Sequence, residues 1–275
     1  MTELALNNNG SHKSNIDNTG VSEDTSVAFN SFESFKSSFP LHGEKLYSTV
    51  FERNADVVQT QKRQVAITHL EKILNATFYV SATSGFDRMS LRDLSRQTGM
   101  SMGAIYSCIS KKEDIAMMIA DIVRLSSELI RDHAQKSESP WERIEQSIRY
   151  HLYASTLLQP WYFFLYFETR SLPEEQQHKS IQIEVDAIEL FVQQIKEGVE
   201  TGDFETQNPN MVANTIVVLL EDWYLKPWKT QVTENKEGVK NLKTIDELKP
   251  KQEQNINMYH QSVIDLVKKL LTVST

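Results

Sequence analysis

Ser90–Ile115, SLRDLSRQTGMSMGAIYSCISKKEDI, is the stretch whose reading decides the fold. Ser90 with Asp93 three residues on makes an S-x-x-D box, which ties off the free N–H groups of a helix's first turn. Leu91, Leu94 and Thr98 then share one helical face. Gly99 stands where a helix closes on a left-handed residue. Ser101 caps again, Met102 to Cys108 make a second short helix, and Ile105 and Ile109 point inward together. Ser110 with Glu113 opens a third helix by the same device. Two short helices crossing through a glycine-bearing turn are the arrangement that inserts the second helix into a DNA major groove.

Gly99, Ser101, Gly103, Ile105, Tyr106, Ile109, Lys112, Glu113 and Ile115 fall without a gap on the pattern G-x-S-x-G-x-L-Y-x-x-F-x-x-K-E-x-L. Upstream, Ile73, Leu74, Ala76, Gly85 and Phe86 fit the helix and turn that precede it. On these residues the chain resembles the TetR family of one-component regulators, of the TetR/AcrR type. Ile109 stands where that pattern has Phe, and Ser81 at another usual Phe, which softens the small core without changing its fold.

Working outward, 275 residues suffice for one large or two modest domains. A content of 40% hydrophobic and 24% charged residues is that of a globular chain. The single cysteine, Cys108, excludes an intrachain disulfide and fits a reducing cytoplasm. The first thirty residues hold no signal-peptide core, and the run Trp161–Phe167 is far too short to span a bilayer, so a soluble, cytoplasmic protein is expected. The net charge of −8 is unevenly spread: residues 140–225 carry five Lys/Arg against fourteen Asp/Glu, whereas residues 85–135 carry seven of each. Phosphate binding depends on where cations point, so a neutral head remains compatible with DNA.

Residues 1 to about 45 are rich in Asn, Ser, Thr and Gly without helical period, and the extension 1–60 is expected to be mostly disordered or weakly ordered. Within it Phe29, Phe32, Phe35 and Phe39 lie three to four residues apart. Two readings stay open: an amphipathic piece that docks on the body or a partner, and a tail with scattered aromatics. A helix is expected over about 61–81, with Val65, Leu70, Ile73, Leu74, Thr77 and Phe78 inward. Another runs from Lys112 to His133 on the stripe Ala116, Ile119, Ile122, Val123, Ser126 and Ile130. Pro140 starts the next, reaching about Leu158. Trp161–Thr169 reads as a short buried helix or the wall of a cavity. Glu174–Glu200 carries the stripe Ile181, Val185, Ile188, Val192, Ile195 and Val199. A helix over 209–226, a charged loop over 229–250 and a last helix over 254–273 follow. In the last helix Ile256, Tyr259, Val263, Leu266, Leu270 and Val273 form a seam suited to another helix, with Val267 and Leu271 on a second face.

The resemblance implies an all-α fold: a helix-turn-helix DNA-binding domain over 61–115 and a helical ligand-binding and dimerisation domain over 116–275. It implies a homodimer through the last two helices, binding a palindromic operator on double-stranded DNA. Tyr106 and Lys112 are the expected phosphate contacts, Arg92 touches phosphate or a groove edge, Met102, Gly103, Ala104 and Ser107 face the bases, and Ser101 completes the DNA-binding set. The small or apolar outward residues favour thymine methyl contacts and shape over bidentate hydrogen bonds. A small, hydrophobic or amphipathic effector is expected against Trp161, Phe164 and Phe167, with His151, Glu168, Arg170 and Asp222 as polar anchors. Catalysis is not expected: there is no phosphate-cradling glycine loop, H-E-x-x-H, CxxC or G-x-S-x-G. No cofactor or metal is expected either, since His133, His151, His178 and His260 lack ligand spacing. The rival reading is an activator, or a regulator controlled by a protein docking on the N-terminal extension.

Overall fold

The structure, a computed structural model, describes residues 31–60, 62–226, 229 and 252–272. Every regular element among them is helical: α1 Phe32–Ser38, α2 Glu44–Arg53, α3 Arg63–Ser84, α4 Leu91–Thr98, α5 Met102–Tyr106, α6 Lys112–Ala134, α7 Pro140–Leu157, α8 Gln159–Glu168, α9 Glu174–Thr201, α10 Pro209–Leu225 and α11 Gln252–Leu271. A single 3-10 turn, Thr169–Ser171, links α8 to α9.

Helices α3, α4 and α5 enclose a small core of Leu70, Ile73, Leu74, Phe86, Leu94, Ile105 and Ile109, all essentially inaccessible. From this head α6 runs into the body, its stripe Ala116, Ile119, Ile122, Val123, Ser126 and Ile130 buried as its spacing predicts. In the body α7, α9, α10 and α11 pack on one another, and α8 lies between α6, α10 and α3. Gly198 of α9 has a packing reason: a β-carbon there would stand 2.1 Å from the Phe204 ring, so only glycine lets that ring close the end of α9.

The largest departure from expectation is at the N terminus. Residues 31–60, expected to be mostly disordered or weakly ordered, form α1, which packs on α7 of the body, and α2, which packs on α3 of the head; for the phenylalanines of α1, the docking reading is the one found. Ser31 caps α1 through a reciprocal box with Ser34. Phe35, 3% exposed, stacks on Phe39 at 4.6 Å and meets Tyr150 and Tyr153 of α7 at 5.8 and 5.4 Å. Burying three phenylalanines against tyrosines more than offsets the polar composition around them. Since Phe32, Phe35 and Phe39 are covered by the chain itself, they offer no surface to a partner. Phe29 and the rest of residues 1–30 lie outside the described residues, as do Gln61, Val273 and the loop positions 230–250.

Smaller differences have local causes. The cap of α6 is not Ser110 with Glu113. The Asp114 carboxylate instead accepts the N–H groups of Ser110 and Lys111, at 2.8 and 3.0 Å. Val65 is outward, because α3 turns Ala66, Ile67 and Leu70 to the core. On α9 the buried face holds Ser180, Ile183, Leu190, Phe191, Gln194, Ile195 and Gly198, leaving Ile181, Val185 and Val199 exposed. On α11 the inward face is Ile256, His260, Val263, Ile264, Val267 and Leu271, so Leu266 and Leu270 of the expected seam face outward. Both helices are apolar over more than one stripe, and periodicity alone does not say which stripe wins.

Candidate DNA-reading head and effector cavity

The head follows its capping chemistry closely. The Ser90–Asp93 box is reciprocal: Ser90 N–H donates to the Asp93 carboxylate at 2.9 Å, and Asp93 N–H donates to Ser90 Oγ at 3.3 Å. Gly99 closes α4 at φ +69°, ψ +11°, the left-handed conformation that the turn needs. Ser101 Oγ accepts the Ala104 N–H at 3.2 Å and starts α5, which ends at Tyr106, short of the expected Cys108.

Among the proposed DNA contacts, Arg92, Ser101, Gly103 and Tyr106 are exposed, Tyr106 by half, while Met102, Ala104 and Ser107 are partly covered. Lys112 is already engaged. Its Nζ donates to the carbonyls of Phe86 and Asp87, at 3.1 and 2.7 Å, and sits 5.2 Å from the Phe86 ring. It thereby ties the α3–α4 turn to α6, and one of its three N–H donors remains for a phosphate. Cys108 is fully buried, which pushes its thiol above the ordinary value and suits filling space rather than redox chemistry.

One arrangement in the head has no counterpart in the sequence reading. The carbonyl of Ser107, just past α5, accepts the N–H groups of Gln59 and Thr60 at 2.9 and 3.2 Å. The Thr60 hydroxyl adds bonds to that carbonyl and to Ser107 Oγ, at 3.2 and 2.9 Å. The same extension reaches α6 through a two-pronged ion pair from Arg53 to Asp121. No short-range signal marks these bonds, because they join residues 47 and 68 positions apart.

In the body, a cavity of 320 Å³ opens between α6, α7, α8, α9 and α10. Tyr162, Leu165, Tyr166 and Thr169 face it from α8 and the turn, with His151 from α7 and Glu221 and Tyr224 from α10. Glu184 of α9 and Arg170 complete its polar lining. A second hollow of 390 Å³ lies on the other side of Ser180 and Ile183, between α6 and α9. Of the expected anchors, His151 and Arg170 line the cavity and two do not. Glu168 is spent on the Phe86 N–H at 3.1 Å, and Asp222 on Lys226 and Lys229. Trp161 and Phe164 turn away onto Phe78 and Phe86, and Phe167 is exposed beside Phe163.

The electrostatics of the cavity are unusual. Burial, and then the charge of Glu184, push the Glu221 carboxyl up to about 7. Burial pulls His151 down to about 4, so its ring is neutral, and its Nε2 has no hydrogen-bond partner among the described residues. Burial pushes Tyr162 up to about 12, although its hydroxyl donates to Ser126 at 3.1 Å. No His/Cys/Asp/Glu group among the described residues has the geometry of a metal site, and no described helix is long and apolar enough to cross a membrane.

Comparison with known proteins agrees with this architecture. Residues 137–225 match the family model described as Tetracyclin repressor-like, C-terminal domain. No curated protein matches the sequence. Among solved structures, a tetR-family regulatory protein from Rhodococcus is similar with TM-score 0.58 at 17% identity, over 75% of this chain and 98% of its own. AibR, solved with isovaleryl coenzyme A and operator DNA, is similar with TM-score 0.56 at 13% identity, over 75% and 100%. FadR from Bacillus subtilis, solved with stearoyl-CoA, gives TM-score 0.53 at 16% identity, over 73% and 98%. With residues 137–225 matching a tetracycline-repressor-like C-terminal domain and a capped helix-turn-helix ahead of them, the chain has the fold of these TetR-family regulators.

Proposed function

We propose that the protein is a dimeric, operator-binding transcriptional repressor that leaves its DNA when a small molecule enters the body. The observation that carries this reading is the continuity of α6. Its first turn is fastened to the head by Lys112, and its later residues Val123 and Ser127 line the cavity. A ligand that changes the position of α6 therefore changes the spacing of the two reading heads. The shift is bounded by the ligand's differential affinity for the two states.

A single α5 reads too few base edges to be selective, so two copies related by a two-fold axis would read a palindrome. Met211 and Val218 of α10 and Met258, Leu266 and Leu270 of α11 are outward and apolar in the single chain, which supports dimerisation through these two helices. Arg92, Tyr106 and Lys112 would position the head on phosphates, and Ser101, Met102, Gly103, Ala104 and Ser107 would meet base edges. The site of action would be the nucleoid in the cytoplasm.

The test is a genomic footprint of the purified protein at physiological salt. A short palindrome upstream of a few genes is expected. Diffuse occupancy, or none, would overturn the operator-binding reading.

A further inference from the structure

The cavity holds more negative charge than its own residues neutralise. Glu221 and Glu184 both line it, and neither makes an ion pair or hydrogen bond among the described residues. The one cation in the lining, Arg170, is exposed at the edge and pairs with neither. Aromatic rings share the lining with the two acids. Tyr162 and Tyr224 lie 5.1 Å apart between ring centroids, and His151 stands 5.5 Å from Tyr162 and 6.3 Å from Tyr224. Tyr224 is only 7% exposed, yet its hydroxyl has no hydrogen-bond partner among the described residues. Glu221 is partly covered and Glu184 exposed at the rim, so the cavity carries two acids that no described side chain compensates.

We propose that this cavity takes an organic cation, an amine or quaternary ammonium on an apolar body, held by Glu221 and Glu184 and by the faces of Tyr162 and Tyr224. The proposal rests on reading the body as a small-molecule receptor. A positive charge is attracted to both carboxylates and to the negative faces of the rings, and an apolar body fills the space beside Leu165, Ile183 and Val217. The acyl coenzyme A esters bound by AibR and FadR carry phosphates, which unpaired carboxylates would repel. Arg170 and Glu184 are both exposed at the edge, so the charge that sets the preference inside the cavity is the more enclosed Glu221. The elevated Glu221 carboxyl agrees: near neutral pH a bound cation would displace its proton to solvent, leaving a carboxylate beside the ammonium.

The experiment is calorimetric titration of the full chain at pH 8 in phosphate with three probes. They are benzyltrimethylammonium, its neutral isostere neopentylbenzene, and hexanoyl-CoA. The ammonium should bind about tenfold more tightly than the isostere. Glu221→Gln and Glu184→Gln should each shrink that preference severalfold, and Arg170→Gln, a surface change, should enlarge it. Thermal melts of each variant confirm that it is folded. Equal affinity for ammonium and isostere, no binding of the ammonium, or tightest binding of hexanoyl-CoA would overturn the proposal. Hexanoyl-CoA that released operator DNA would do so while leaving the repressor reading intact. Ammonium binding by a protein that occupies no operator would do the reverse.

Discussion

Glu221→Gln should make the protein more stable at pH 8, by an amount that shrinks as the pH falls toward 4.5. The wild-type carboxyl is pushed from its ordinary 4.5 up to about 7, by burial first and by Glu184 second. The folded state therefore holds this proton more tightly than the unfolded chain. Stability from the group is fully present below about 4.5 and is lost as the pH rises through about 7. Taken at face value the gap corresponds to roughly 3 kcal/mol. Glu221 lines a cavity open to solvent and is only partly covered, and screening there at least halves the figure, to about 1.5 kcal/mol. For a chain of this size that is a rise of about 3–6 °C in melting temperature for the glutamine variant at pH 8. Thermal unfolding followed by circular dichroism between pH 5 and 8, in buffers free of organic amines, measures it. Wild type and variant curves that run parallel across this range would refute the claim that Glu221 is held uncompensated.

Three further outcomes follow from the head and its extension. Phe35→Ala empties the aromatic site under α1 and should cost about 3 kcal/mol or more in chemical denaturation, whereas a free tail would lose nothing. Thr60→Val keeps the shape but deletes the hydroxyl's bonds to Ser107. Fluorescence anisotropy should show weaker operator binding by a few fold with little change in global melting, since about 1 kcal/mol is lost at the end of α5 alone. Lys112→Ala removes both a phosphate contact and the tie to the Phe86 and Asp87 carbonyls. Affinity for all DNA sequences should fall together and the salt dependence should flatten, and an unchanged salt slope would leave Lys112 only its structural tie.

The head was legible because its signals are local. Ser90, Asp93, Gly99 and Ser101 act within three or four residues, and the geometry reproduces each of them. The extension was legible only as one of two open readings, because composition around Phe32 and Phe35 says tail while the decisive partners, Tyr150 and Tyr153, lie far along the chain. The cavity was half legible. The aromatic run marks α8 as a wall, but a helix turns by about 100° per residue. Only positions 162, 165, 166 and 169 share the inward face, and Trp161, Phe164 and Phe167 go elsewhere. The same rotation separates Glu221, which lines the cavity, from its neighbour Asp222, which pairs with lysines.

The docking of α1 on α7 also has a consequence for biosynthesis. Phe32, Phe35 and Phe39 are made early, yet Tyr150 and Tyr153 must be synthesised before they can be covered. At ribosomal speeds that interval is on the order of ten seconds, long compared with helix formation. Throughout it the nascent chain presents a phenylalanine-rich patch that the finished protein hides. Chaperone dependence during translation, and a greater tendency to aggregate when α7 is truncated, are the expected costs of separating α1 from its partner helix by the whole head and α6.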